Sequence, residues 1–181
     1  MKKLKYKVLM IISGGQTGAD RAGLDFAISK EIKHGGWCPK GRLAEDGAIP
    51  TKYNLIETST NLYPQRTRQN VKDSDATIVF TDTHMSRGAM LTITCCEALK
   101  KPYFVLPISS IKDEAAKNSL LSWLNKIKPK ILNIAGARAS KCPQMHKFVT
   151  SILNSVIEKD KQSKEPEWPP QRPFTPSFNF D

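Results

Sequence analysis

No stretch of the chain approaches the ~18 apolar residues that a membrane-spanning helix requires. The first apolar run, Val8 to Ile12, stops after five residues at a glycine turn. The basic start, with four lysines among residues 1–7, leads to no cleavage site of a secretory leader. A cytoplasmic protein without a membrane partner is expected. No CxxC pair occurs: Cys38 and Cys142 stand alone, and the adjacent Cys95 and Cys96 are poor disulfide partners on a helix. Reduced, buried thiols are the expectation. Three scattered histidines, His34, His84 and His146, provide no zinc or iron spacing, so no metal ligated by the protein is expected. Acidic residues are also scarce, 17 against 28 lysines and arginines, for a formal net charge of +11. That excess is spread along the chain and belongs to no RNP, helix-turn-helix or zinc-finger pattern. It reads as solvated surface, part of it serving a small anion, and nucleic acid is not expected as a partner.

What is present fits one globular domain of 181 residues, 39% of them hydrophobic. Short apolar runs read as buried parallel strands at Val8–Ile12, Ala76–Phe80, Tyr103–Leu106 and Ile131–Ala135, with shorter ones at Gly35–Cys38 and Asn54–Thr58. Helical spacing is expected from Asp20 to Lys33, Pro64 to Asp73, Gly88 to Lys100, Asp113 to Lys126 and Cys142 to Lys159. Thr17-x-x-Asp20 resembles a capping box at the first of these. Pro39 to Pro50 reads as loop. Alternation of this kind predicts a Rossmann-like three-layer α/β/α domain with a mostly parallel sheet over residues 1–160. Residues 161–181, with five prolines, read as an extended tail. Its aromatics, Trp168, Phe174, Phe178 and Phe180, predict packing on the domain or on a neighbouring subunit, hence a homo-oligomer.

The chemistry is expected where strands end and helices begin. Gly14-Gly15-Gln16-Thr17-Gly18 follows the first strand, so its N–H groups and the helix dipole favour a phosphate. Its spacing matches neither the dinucleotide fingerprint nor the Walker pattern. A second glycine turn, Ser86-Arg87-Gly88, opens a helix carrying Thr92. In a doubly wound sheet the two turns can face one crevice. In the loop between them, Lys40 and Arg42 are candidate phosphate clamps, and Glu45 or Asp46 candidate partners of a ribose or base edge. Arg66 and Asn70, four apart on a helix, share a face suited to an anion.

Gly14-Gly15-Gln16-Thr17-Gly18-Ala19-Asp20-Arg21, then Gly35-Gly36-Trp37-Cys38-Pro39-Lys40-Gly41-Arg42 and Ala44-Glu45-Asp46-Gly47, closely resemble the molybdenum carrier family. Ile49-Pro50, Tyr53, Glu57-Thr58, Arg66-Thr67, Asn70-Val71, Ser74-Asp75 and Lys101-Pro102 continue the match. The resemblance implies a Rossmann-like relative of the Lonely Guy ("lysine decarboxylase") superfamily. It implies molybdenum cofactor, a pterin phosphate, as bound cargo, and molybdoenzymes as acceptors. The phosphoribohydrolase branch of that superfamily reads PGGxGTxxE, whereas Ser86-Arg87-Gly88-Ala89 reaches no carboxylate before Glu97. Two readings stay open: a carrier of a phosphorylated heterocycle, and an enzyme processing nucleoside monophosphates with Glu45, Asp46 or Asp20 as acid or base; a nucleic-acid-associated protein is a third and lesser one, based on charge alone.

Overall fold

The computed structural model describes residues 4–82, 84–158 and 168–169. Strand β1 (Met10–Ile12) leads through the glycine turn into helix α1 (Ala19–Ser29) and β2 (Lys33–Gly35). Short strands β3 (Trp37–Cys38), β4 (Leu43–Ala44), β5 (Gly47–Ala48) and β6 (Ile56–Glu57) follow. The remainder alternates: α2 (Tyr63–Asp73), β7 (Ala76–Thr81), α3 (Arg87–Ala98), β8 (Tyr103–Pro107), α4 (Glu114–Ile127), β9 (Ile131–Gly136) and α5 (Met145–Val156).

Five strands make one parallel sheet in the order β2-β1-β9-β7-β8, so the last strand among the described residues lies at its centre. Numbered from β9, this is the 3-2-1-4-5 order of a doubly wound sheet, with its first strand supplied by the C-terminal part of the chain. Period-two alternation divides the strands between two faces. Ile11, Ile78, Phe80, Leu132 and Ile134 enter the main core, which α1, α4 and α5 cover. Val71, Cys95 and Cys96, from α2 and α3, pack in a cluster on the other side. Met10, Ile12 and Ile131 form a third cluster, against which Trp168 packs. The three-layer α/β/α architecture is as the sequence predicts. Among the described residues no helix is long and apolar enough to cross a membrane.

Four local expectations change. The strand expected at Gly35–Cys38 breaks at Gly36, where a Cβ would lie 2.1 Å from the Ser13 carbonyl oxygen. Its first part joins the main sheet, and its second pairs separately with β6. The Pro39–Pro50 stretch holds an antiparallel pair, β4 with β5, turning at Glu45-Asp46. α1 is capped at Gly18 with no side-chain cap, because Thr17 and Asp20 are engaged elsewhere. The last helix starts at Met145, after Pro143. Of the tail, only Trp168 and Pro169 fall within the described residues; Phe174, Phe178 and Phe180 lie outside them.

Candidate functional site

Because the sheet is parallel, the segments after β1, β7 and β9 all emerge at its carboxyl edge. From there the chain enters α3 on one face and α5 on the other, where α5 packs on α1 and α3 on α2. The segments diverge, and a cleft of about 990 Å³ opens between them. Gln16 reaches it from the β1 turn, Tyr63 and Arg66 from α2, and Asp82 to Gly88 (Thr83 apart) from the β7–α3 connection. Gly136, Arg138, Lys141, Cys142, Pro143 and Gln144 close the β9–α5 side. A smaller cavity of about 30 Å³ is lined by Gly14, Asp20, Arg66, Asn70 and Thr92, with Asn133 and Gly136. Arg66 lines both.

The β1 turn is held by the protein's own groups. Gln16 Oε1 accepts the N–H groups of Thr17 (3.0 Å) and Glu45 (2.9 Å). The Gln16 N–H donates to Asp20 Oδ2 at 3.3 Å, and the Ala19 N–H to the Ala137 carbonyl at 3.1 Å. Thr17 Oγ1 accepts from the Ala139 N–H at 3.0 Å and donates to Glu45. Two of the glycines answer to packing. A Cβ on Gly14 would fall 1.4 Å from Arg66 Nη1, and one on Gly18 would meet the Ala137 carbonyl at 2.4 Å, with φ at +76° besides. Several of the donors that the sequence offers to a phosphate here are therefore already used.

Arg66 donates from Nη1 to Asp20 Oδ2 at 2.7 Å, with 14% of the Arg66 and 3% of the Asp20 side chain exposed. Burial pushes the Asp20 carboxyl up, against the opposing pull of Arg66 and of the Gln16 N–H. Among the described residues the buried Arg66 Nε has no partner. Asn70 lies beside Arg66 but clamps Trp37, accepting its N–H at 2.8 Å and donating to its carbonyl at 2.9 Å.

The loop residues are disposed differently from a phosphate clamp. Arg42 donates to the carbonyls of Ile49, Pro50, Tyr53 and Leu55 at 3.0 to 3.2 Å, which commits its guanidinium to folding the loop. Lys40 is exposed and does not line the cleft. Asp46 pairs with Arg21, Oδ1 to Nη2 at 2.7 Å, and that bond holds its carboxyl below the ordinary range. Glu45 accepts the Ser140 N–H at 3.0 Å and the hydroxyls of Ser140 and Thr17. Burial raises its carboxyl, but these bonds outweigh burial and hold it low. Glu45 thus ties the hairpin to the β9–α5 connection.

On the opposite wall Ser86 caps α3, its Oγ accepting the Ala89 N–H at 3.2 Å. Thr92 Oγ1 donates to the Gly88 carbonyl at 3.0 Å. The N-terminus of α3, with Arg87 and Gly88, opens into the cleft. Arg138 and Lys141 face it from the β9–α5 connection. Sequence reasoning missed these two, together with Tyr63, Asp82, Met85 and Gln144. The available signal was Gly136 at a strand end followed by two basic residues, but only the central place of β9 makes it informative.

The model of the "Circularly permutated YpsA SLOG family" matches residues 11–157. The chain belongs to that family. The permutation is visible in the sheet, where the strand that would come first in an unpermuted order comes last among the described residues. None of the curated proteins matches the chain. Among solved structures, it is similar to a "Putative molybdenum carrier protein" from Syntrophus aciditrophicus, determined at 1.45 Å resolution. Identity is 44% over 81% of this chain and 93% of that one, with a TM-score of 0.78. Among the described residues of this family member, no cluster of three or more His, Cys, Asp or Glu residues could hold a metal ion.

Proposed function

We propose that the cleft binds a phosphorylated heterocycle and that the protein carries it, with molybdenum cofactor as the cargo and a molybdoenzyme as the acceptor. The observation that carries this reading is the convergence of Arg66, Arg87, Arg138 and Lys141, with the α3 N-terminus, on one cleft at the carboxyl edge of the sheet. Arg87 and Lys141 show no ion pair among the described residues, which leaves both for a ligand's phosphate. Tyr63 and Met85, 41% and 45% exposed, supply apolar surface for a flat ring. A cleft of about 990 Å³ has room for a ligand of this class. The 44% identical relative named as a molybdenum carrier supports the choice of cargo. Against the nucleotide-processing reading, Glu45 and Asp46 do not line the cleft, Glu45 being tied to Ser140 and Arg138 and Asp46 to Arg21, and Asp20 lies behind Arg66.

The test uses the full chain, loaded with molybdenum cofactor and mixed with an apo-molybdoenzyme. Retention of the cofactor and its transfer to the apoenzyme are expected, with AMP left uncleaved. Release of free base from AMP at about 1 s⁻¹ or faster would favour the enzyme reading instead.

A further inference from the structure

Asp82 differs in sign from the rest of the cleft. It is the sole carboxylate among the described residues that line it, and it faces a set of arginines and a lysine. It directly follows β7, at the carboxyl end of that strand. Asp82 Oδ1 accepts the His84 N–H at 3.2 Å, a bond that leaves Oδ2 and the second lone pair of Oδ1 for further donors. A ligand offering only phosphate oxygens would meet repulsion at this point. One that also carried adjacent N–H donors would gain charge-assisted hydrogen bonds there.

We propose that Asp82 determines the specificity of the cleft by reading the two-donor edge of a 2-amino-4-oxo-pyrimidine ring, the edge shared by pterins and guanine. The inference rests on the phosphorylated-heterocycle reading above. A carboxylate accepts the ring N–H and the exocyclic amino group side by side, while Tyr63 and Met85 lie against the ring and Arg87 and Lys141 take the phosphate. Adenine sets one donor beside an acceptor nitrogen on the corresponding edge, and that acceptor opposes the carboxylate. Hypoxanthine keeps the ring N–H but lacks the amino group. A site that hydrogen-bonds a ligand's donor edge discriminates against a ligand that lacks a donor there.

Calorimetric titration of the full chain with ribose 5-phosphate, AMP, IMP, GMP and 6-hydroxymethylpterin phosphate tests this. GMP or the pterin phosphate should bind at least about tenfold more tightly than IMP and AMP. Asp82→Asn should remove that advantage without weakening the binding of ribose 5-phosphate, which loses a repulsion there. Whichever of the two 2-amino-4-oxo ligands binds more tightly identifies the source of the ring. Equal affinities of all four ring-bearing ligands for the unaltered protein overturn the proposal, and this comparison needs no variant to fold. A loss in Asp82→Asn that ribose 5-phosphate shares overturns it too, since Asp82 would then be serving the phosphate or the loop. Failure of all five to bind overturns the phosphorylated-heterocycle reading itself.

Discussion

Arg66 joins the two cavities, holding Asp20 with one nitrogen while its side chain lines the cleft. Its replacement therefore acts on folding and on binding. Removing one member of a buried ion pair typically costs about 3 kcal/mol or more, because the other charge is left without compensation. In Arg66→Ala the uncompensated group is a carboxyl that burial already pushes up. A carboxyl whose folded value lies above its unfolded one binds its proton more tightly in the folded state. The variant's stability should thus rise as the pH falls from neutral toward the unfolded Asp value of about 3.9. Urea denaturation at several pH values should show the deficit against the unaltered protein largest near neutral pH and smaller in acid. A deficit independent of pH would mean that Asp20 is not the group left charged. Phosphate binding should weaken in the same variant by about 1 to 3 kcal/mol, with a dephosphorylated ligand much less affected.

At the scale of elements, two connections at the carboxyl edge serve different ends. The β7–α3 turn presents a capped helix start to the cleft, and Ser86→Ala should cost about 1 kcal/mol of stability through the lost cap. The loop from Pro39 to Leu55 is instead fastened from within by Arg42. A lysine cannot reproduce a planar fork directed at four carbonyls. Arg42→Lys should destabilise the protein by about 1 to 2 kcal/mol and speed proteolysis of that loop. The affinity for phosphate should not change, because Arg42 does not line the cleft. A matching loss of phosphate affinity would return Arg42 to the site.

Across the whole molecule, the face of the sheet bearing Met10 and Ile12 is closed partly by Trp168, which comes after the last residue matched by the family model. Among the described residues its Nε1 has no hydrogen-bond partner, so the indole contributes through its apolar area. Trp168→Ala should lower stability by about 2 kcal/mol, less than truncation of a fully buried tryptophan. Trp168→Phe should cost much less, since it keeps a ring against Met10, Ile12 and Ile131. Thermal unfolding of the two variants measures both, and equal losses would show that the contact does not depend on ring area.

The sequence by itself determined the class of fold and the family. Apolar runs ending in glycine, followed by helical spacing, encode strand, turn and helix through interactions among near neighbours. The long ordered motif from Gly14 to Gly47 carried the resemblance. What only the tertiary structure decided was which of these pieces meet. β9 lies between β1 and β7 although it follows both in the chain, and that placement brings Arg138 and Lys141 opposite Arg87. Glu45 and Ser140 are 95 residues apart yet bonded, and Arg42 turns inward to carbonyls where its composition and loop position promised an anion. Local periodicity reports what each segment is. The order of strands, and therefore the membership of the cleft, follows from burial and hydrogen bonding summed over distant segments, which no short stretch of sequence contains.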